Sequence, residues 1–483
     1  MNVAELFVFR LRQFGVERIY GLIGTSIIDL IDSIGESRIR YISTRHDQAA
    51  VSMAVAEGKL RGFPGVALVH GGPGFLNSIT PMAVAYKDSV PAIVISGAVK
   101  RRLRGLDSWL EVDQQEIVRS IVKSSFSIQK PSEANVALTA AFESASSPPC
   151  GPSFIEVPED VWHLESGPIK DTGIRNHSRQ LPKQTEVERA IELLKKSKSP
   201  VILAGGGIND EEGSALLLKF AERFRIPVAT TGNGRGAIPE DNPLSIGRAG
   251  YGGGNTVSDR LIQRSDYLIS LGAGLFDVTT YSYNYLPKGE IVTVTLDSLA
   301  SNKPVPYSLV SISDAKLFLR LMLETKDSYA PDPTWKEEMR NQANEWDSLL
   351  RDISTRTKSG FVNPSRFFEE LDRRVPKDLI VSAGQGLHVL YPYAYLKIRA
   401  HSSFLAATNL GAMGYAFPAA LGAKATFPNR MVVAVLGDGE FLMSLPDLET
   451  AARENLSIKI IVVNDNSYRV LYMRQKIQKM GRV

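Results

Sequence analysis

At 483 residues, 43% hydrophobic and 22% charged, the chain is an ordinary globular protein too long for a single core, with two to four domains expected. A net charge of +4 with no long basic run interleaved by aromatics gives no indication of nucleic acid; the cluster Lys100-Arg101-Arg102-Leu103-Arg104 reads as a solvated loop or a contact for an anionic substrate. One cysteine, Cys150, excludes an internal disulfide, and the N-terminal MNVAELFVFRLRQFG is neither a signal peptide nor a membrane span, so a cytoplasmic protein is expected.

Helix periodicity over Val3–Phe14 leads into a strand at Arg18–Leu22 and a glycine turn at Gly21 to Gly24. A strand at Ile39–Ser43, a helix at Gln48–Arg61, a strand at Gly65–His70, a Gly-Pro turn, a helix at Phe75–Asp88 and a strand at Ala92–Ser96 follow. Alternation at this spacing predicts a parallel sheet covered on both faces, over residues 1–165. The polar stretch Leu164–Gln184 reads as a linker. A second block, 185–330, alternates in the same way. It has strands at Val201–Leu203, Val228–Thr230, Tyr267–Leu271 and Ile291–Leu296, and helices at Glu211–Phe224 and Asn255–Arg264. Its Gly205-Gly206-Gly207 resembles a dinucleotide-binding turn only weakly, and Asp297 either meets a ribose or caps the next turn. A charged helical connector, Pro333–Thr357, leads to the third block, 358–483. There a strand at Leu379–Ser382 precedes the turn Gly384-Gln385-Gly386, and a helix at Pro418–Ala425 follows Gly411 to Gly414. The expected fold is therefore α/β, with three doubly wound parallel-sheet domains.

The densest chemistry lies near the C-terminus. The apolar strand Met431–Leu436 runs into Gly437-Asp438-Gly439; a helical stretch, Leu445–Asn455, and a strand, Ile458–Val463, lead on to Asn464-Asp465-Asn466. Both turns follow strand ends, so a parallel sheet brings them to one edge. Glycines allow close backbone approach to a phosphate, and the acids offer oxygen ligands suited to Mg²⁺ bridging a diphosphate.

This pattern resembles the metal-diphosphate motif of thiamin-diphosphate enzymes, the family of acetolactate synthase, pyruvate oxidase and benzoylformate decarboxylase. There the aspartate of GDG binds Mg²⁺, with an amide at the second position of an Asn-Asn pair and a carbonyl two residues on. The resemblance implies Asp438, Asp465 and the carbonyl of Ser467 as metal ligands, with Asp465 a carboxylate in place of the amide. It also implies three domains: pyrimidine-binding, central and diphosphate-binding. The family continues well beyond the second turn, so either the C-terminal part of the third domain lies outside this sequence or its sheet is short.

Further motifs carry the same resemblance. Gly71-Gly72-Pro73-Gly74 with Asn77 resembles the turn lying against the cofactor's pyrimidine. Asn409 to Gly414 resembles the segment that bends the cofactor, with Met413 as the apolar wedge beside Gly411; Gly384-Gln385 resembles a turn touching the diphosphate, with Gly437 and Gly439. Arg45-His46-Asp47-Gln48 stands where the family has Arg-His-Glu-Gln, which implies Asp47 as the acid that bonds the pyrimidine and activates the thiazolium. Its side chain is a methylene shorter, so its carboxylate falls about 1.5 Å back unless the backbone closes in. The competing reading is a helix N-cap. His70 matches a catalytic histidine of benzoylformate decarboxylase, and Thr25 falls at that enzyme's active-site serine; the competing reading of His70 is a hydrogen-bonded residue at a strand end.

Asp107-Ser108-Trp109-Leu110-Glu111 keeps an aromatic of the acetolactate synthase pattern but has Leu110 for its glutamine. Gly272 to Asp277 lacks the arginine of that group's flavin-contacting stretch, so FAD is possible but not supported. The resemblance implies a thiamin-diphosphate- and Mg²⁺-dependent carboligase of 2-oxo acids, a homodimer or homotetramer. The alternatives are a 2-oxo acid decarboxylase or aldehyde lyase of the benzoylformate decarboxylase type, favoured by His70 and Leu110, and a non-catalytic cofactor-binding subunit.

Overall fold

The computed structural model describes residues 1–167, 173–174, 179–251, 256–326 and 328–482. Residues 168–172 and 175–178 of the expected linker and Asn255 of an expected helix lie outside these residues; that helix is described over Thr256–Arg264.

The first sheet contains β1 (Arg18–Gly21), β2 (Arg40–Ser43), β3 (Gly65–Val69), β4 (Ala92–Ala98), β5 (Ser124–Ser127) and β6 (Pro152–Pro158), in the order β2-β1-β3-β4-β6-β5. All five pairings are parallel. The strands β3, β4 and β6 are buried along their whole length, as strands covered on both faces must be. The chain moves from β1 to β2 and then back past β1 to β3. The carboxyl ends of β1 and β3 thus flank a point where the winding reverses, the place where open α/β sheets bind ligands.

The second sheet holds β7 (Pro200–Ala204), β8 (Val228–Thr230), β9 (Ser245–Arg248), β10 (Tyr267–Leu271), β11 (Glu290–Thr295) and β12 (Leu309–Ile312), in the order β12-β11-β10-β7-β8-β9. It too is wholly parallel. A Cβ on Gly205 would lie 2.2 Å from the Gly272 carbonyl, and one on Gly207 would lie 3.0 Å from the Gly272 Cα. The triple glycine lets two turns cross at the reversal between β7 and β10. Asp297 caps its own turn, accepting from the Leu299 N–H at 3.0 Å, and pairs with Lys303 at 3.2 Å.

The third sheet holds β13 (Ile380–Ala383), β14 (Phe404–Leu405), β15 (Val432–Gly437) and β16 (Lys459–Val463), in the order β14-β13-β15-β16. The expected α/β class with three sheets is therefore present.

Several elements are finer than the periodicity suggested. The expected helix Phe75–Asp88 is two helices, Pro73–Asn77 and Ile79–Lys87, and Leu445–Asn455 becomes a single-turn 3₁₀ segment followed by Leu448–Arg453. Asp438 opens a helix, Asp438–Ser444, directly from β15. Strand β6 escaped the sequence reading because Glu156 lies inside it. That carboxylate is 2% exposed and is balanced by Arg104 at 3.0 Å and Ser127 Oγ at 2.8 Å.

By internal contacts the chain forms two compact units. One comprises Met1–His177, Ala407–Ala434 and Gly439–Ile460; the other comprises Ser178–Ala406, Val435–Asp438 and Ile461–Val483. In the first, the helices Asp47–Arg61 and Ala416–Thr426 are buried on nearly every side. They cross at Gly422, where a Cβ would lie 2.5 Å from the Met53 carbonyl. A helix apolar all round belongs in an interior, and this crossing fixes the helix that carries Asp47.

Candidate active site

In the first unit the helix Asp47–Arg61 is capped by His46, whose Nδ1 accepts the Gln48 N–H at 3.2 Å. Asp47 is therefore the first helical residue and not the cap, which removes the competing reading of this acid. Its side chain is 4% exposed. Oδ2 accepts from Asn77 Nδ2 at 3.4 Å, while the buried Oδ1 has no hydrogen-bond partner. Such an oxygen destabilises a fold by about 1–3 kcal/mol. Burial pushes the carboxyl pKa up; the Asn77 bond and the nearby histidines pull against that. A Cβ on Gly74 would lie 2.8 Å from Oδ1, so only glycine leaves the oxygen clear on that side. The turn before it is shaped likewise: Gly72 has φ +67°, and a Cβ there would lie 2.6 Å from the Leu110 carbonyl. Pro73, exposed, starts the helix that ends at Asn77, where its fixed φ and missing N–H suit the first turn.

His70 follows β3 at the winding reversal. Its Nδ1 lies 2.8 Å from Ser26 Oγ, which also accepts the Gly71 N–H at 3.0 Å. Burial lowers the imidazole pKa, and the charges of Asp47 and Glu159 oppose that. Thr25 lines the same cavity, and the hydroxyl that meets His70 belongs to its neighbour Ser26. In sequence the two hydroxyls are adjacent, and nothing separates them until the turn after β1 is built. The cavity, about 210 Å³, is walled by Ala98, Val99, Leu103, Trp109 and Leu110 beside His70. Leu110 holds a positive φ of 72°, a rare conformation for a branched residue.

Also in this unit, Asp88 accepts the Thr408 and Asn409 N–H groups, both at 3.1 Å, and so anchors the segment leading to Gly411 and Met413. Gly411 has φ +72° and Gly414 φ +80°; Met413 is half-buried. The Gly414 N–H donates to the buried Glu440 at 3.1 Å, and a Cβ on Gly414 would lie 3.0 Å from Gln48 Nε2. The wedge segment and the helix of Asp47 thus lie side by side. Gly439 is half-buried in the same unit.

In the second unit the Gly384 N–H donates to the Val435 carbonyl at 2.9 Å, placing Gly384 and Gln385 beside the end of β15. Two glycines there press on a residue that the sequence reading missed. Cβ atoms on Gly386 and Gly437 would lie 2.9 and 2.8 Å from His388 Nδ1. The only signal for His388 was its place four residues after Gly384. Asp438 follows at once, half-buried. Asp465 has both oxygens engaged: Oδ2 by Arg469 Nε at 2.8 Å, and Oδ1 by the Ser467 N–H at 3.2 Å and hydroxyl at 3.3 Å. Among the described residues no group of three His, Cys, Asp or Glu side chains could hold a metal. Asp438, Asp465 and the Ser467 carbonyl could hold only an ion that would take its remaining ligands from water and phosphate, which is the habit of Mg²⁺. Among the described residues no helix is long and apolar enough to cross a membrane.

Comparison with known proteins gives three family matches along the chain. The N-terminal TPP binding domain of thiamine pyrophosphate enzymes matches residues 1–118, the central domain 187–322 and the C-terminal TPP binding domain 384–483. The acetolactate synthase large subunit of Buchnera aphidicola subsp. Schizaphis graminum is 31% identical over 100% of this chain and 85% of its own length. That of Corynebacterium glutamicum is 31% identical over 100% and 78%, and the chloroplastic acetolactate synthase 1 of Nicotiana tabacum 30% over 96% and 70%. Three matched domains on three parallel sheets, with relatives alike over nearly the whole chain, lead to one conclusion: the chain belongs to the thiamine pyrophosphate enzymes, as a carboligase of the acetolactate synthase large-subunit type.

Proposed function

We propose that the chain condenses 2-oxo acids using thiamin diphosphate and Mg²⁺, with Asp47 and His70 as its catalytic residues. The observation that carries this reading is Asp47: a buried acid with one unpartnered oxygen, kept clear by Gly74, suits a hydrogen bond to the nitrogen of a bound heterocycle. Gly72, Pro73, Asn77, Gly411 and Met413 would hold the pyrimidine end. Gly384, Gln385, Gly437 and Gly439 would face the diphosphate. Asp438, Asp465 and the Ser467 carbonyl would hold the metal. When bound, thiamin diphosphate supplies a thiazolium carbon that adds to the keto carbon and takes up the electron pair left by departing CO₂.

The protein's own part is to hold protons and exclude water. Burial keeps Asp47 protonated to higher pH than an ordinary carboxyl group, so it can share a proton with a basic ring nitrogen. Partial burial lowers the His70 pKa and so favours the neutral ring beside the cavity. The apolar wall of Val99, Leu103, Trp109 and Leu110 would admit the substrate's carbon chain. We assign the working form to a cytoplasmic homodimer or homotetramer.

Incubation with pyruvate, thiamin diphosphate and Mg²⁺, followed by product analysis, tests the reading. Acetolactate is expected. Acetaldehyde alone would favour the second reading, a decarboxylase, which the His70–Ser26 pair beside the cavity supports. Neither product, with pyruvate unconsumed, would overturn both.

A further inference from the structure

We propose that Ser26 is a positioning residue that holds His70 as the neutral tautomer with its proton on Nε2. The inference rests on the reading of His70 as a proton carrier, but its geometry stands apart from that role.

The Gly71 N–H can only donate, and it donates to Ser26 Oγ at 3.0 Å. That contact occupies one acceptor position of the hydroxyl and leaves its proton to be given elsewhere. His70 Nδ1 lies 2.8 Å away. The Ser26 backbone N–H points at the same nitrogen from 3.5 Å. Two donors on one residue converge on Nδ1, so Nδ1 is the acceptor and the single proton of the neutral ring sits on Nε2. Protonating Nδ1 would set an N–H against an N–H and force the hydroxyl to turn away. A hydrogen bond to the neutral form disfavours the charged one.

The pair is also held in place. Ser26 is 4% exposed, and its carbonyl accepts from Trp162 Nε1 at 2.9 Å. A Cβ on Gly97 would lie 2.1 Å from Ser26 Oγ, and one on Gly24 would lie 2.3 Å from the His70 ring. Gly24 and Gly97 thus leave the imidazole and the serine the space that a larger residue would take. The charged groups around His70 are Asp47 and Glu159, which favour its cation, and Lys100 and Arg102, which line the same cavity and oppose it. Lys100 is itself paired with Glu159 at 3.3 Å. The serine lock therefore acts against the acids, with burial on its side. The consequence is a neutral imidazole whose one N–H, at Nε2, serves as a hydrogen-bond donor to a bound oxygen.

The test is nitrogen NMR of the full-length protein labelled with ¹⁵N-histidine, the His70 signals among the six histidines being assigned by His70→Gln. The wild type should show a protonated Nε2 and a bare Nδ1 at neutral pH. In Ser26→Ala both tautomers should appear, the titration midpoint of His70 should rise, and the acid limb of kcat/KM should rise with it, with kcat lower by roughly tenfold. A proton on Nδ1 in the wild type overturns the proposal, and so does Ser26→Ala with tautomer and midpoint unchanged. If Ser26→Ala does not fold, the wild-type tautomer alone decides. Failure of the catalytic reading looks different: His70→Ala would keep full turnover while the wild-type ring still showed the Nε2 proton.

Discussion

Two aspartates of this chain occupy places where its relatives' motif is read as having other side chains, and their surroundings are opposite. Asp47 is buried with one oxygen unpartnered and glycine beside it. Asp465 is a third exposed, and Arg469 and Ser467 take both of its oxygens. An acid whose bonding is complete within the protein is at rest. One whose bonding is incomplete in the interior raises the free energy of the fold and is worth keeping only for a partner from outside. On this comparison Asp47 is prepared for a ligand, whereas Asp465 must first release Arg469 to serve one.

The largest expected effect is at the metal end. Asp438→Ala should weaken thiamin diphosphate binding in the presence of Mg²⁺ by about a hundredfold or more, because the metal is the largest local charge and its loss takes the diphosphate contacts with it. Calorimetric titration reads this directly, and unchanged affinity would remove Asp438 from the site. Next, His70→Ala should lower kcat by about a hundredfold with little change in cofactor affinity. Because burial places the imidazole pKa below its ordinary value near 6.5, wild-type activity should fall as pH drops through that lowered midpoint. The variant should lack that limb.

Smaller effects sharpen the contrast between the acids. Asp47→Asn should raise thermal stability at neutral pH by on the order of 1 kcal/mol, because an amide brings no buried charge. The folded-state pKa of Asp47 lies above its unfolded value. Ionisation therefore penalises the fold, and the penalty grows as pH rises from the ordinary carboxyl value to the raised one. The gain from Asn should shrink to nothing at pH below the ordinary value; a gain constant with pH would contradict this account. Smallest of all, Arg469→Gln should free Asp465 and tighten Mg²⁺ binding about two- to fivefold in the presence of cofactor, the scale of a half-exposed ion pair. No change would mean that Asp465 does not reach the metal.

How much of this could be read beforehand follows the range of the interactions. The three sheets were legible because buried parallel strands leave unbroken apolar runs such as GVALV and AIVIS. Strand β6 was not, since Glu156 is tolerated there through Ser127 and Arg104, the latter 52 residues away in sequence. The motif turns were legible from their glycines, but what those glycines accommodate was not. Gly74 faces Asp47, Gly97 faces Ser26, and Gly386 and Gly437 face His388, contacts that exist only after the chain has folded. For the same reason the hydrogen bond of Ser26 to His70 was not legible beside the neighbouring hydroxyl of Thr25.

The central claim is that Asp47, with its unused oxygen, activates the cofactor, and exchange of the thiazolium C2 proton for deuterium measures that without any substrate. Asp47→Asn keeps the size and leaves the His46 cap intact, so exchange in the bound cofactor should slow by about a hundredfold to ten-thousandfold relative to wild type. Asp47→Glu should bind cofactor more weakly, because Gly74 leaves little room for an added methylene. Exchange in Asp47→Asn as fast as in the wild type would contradict the account.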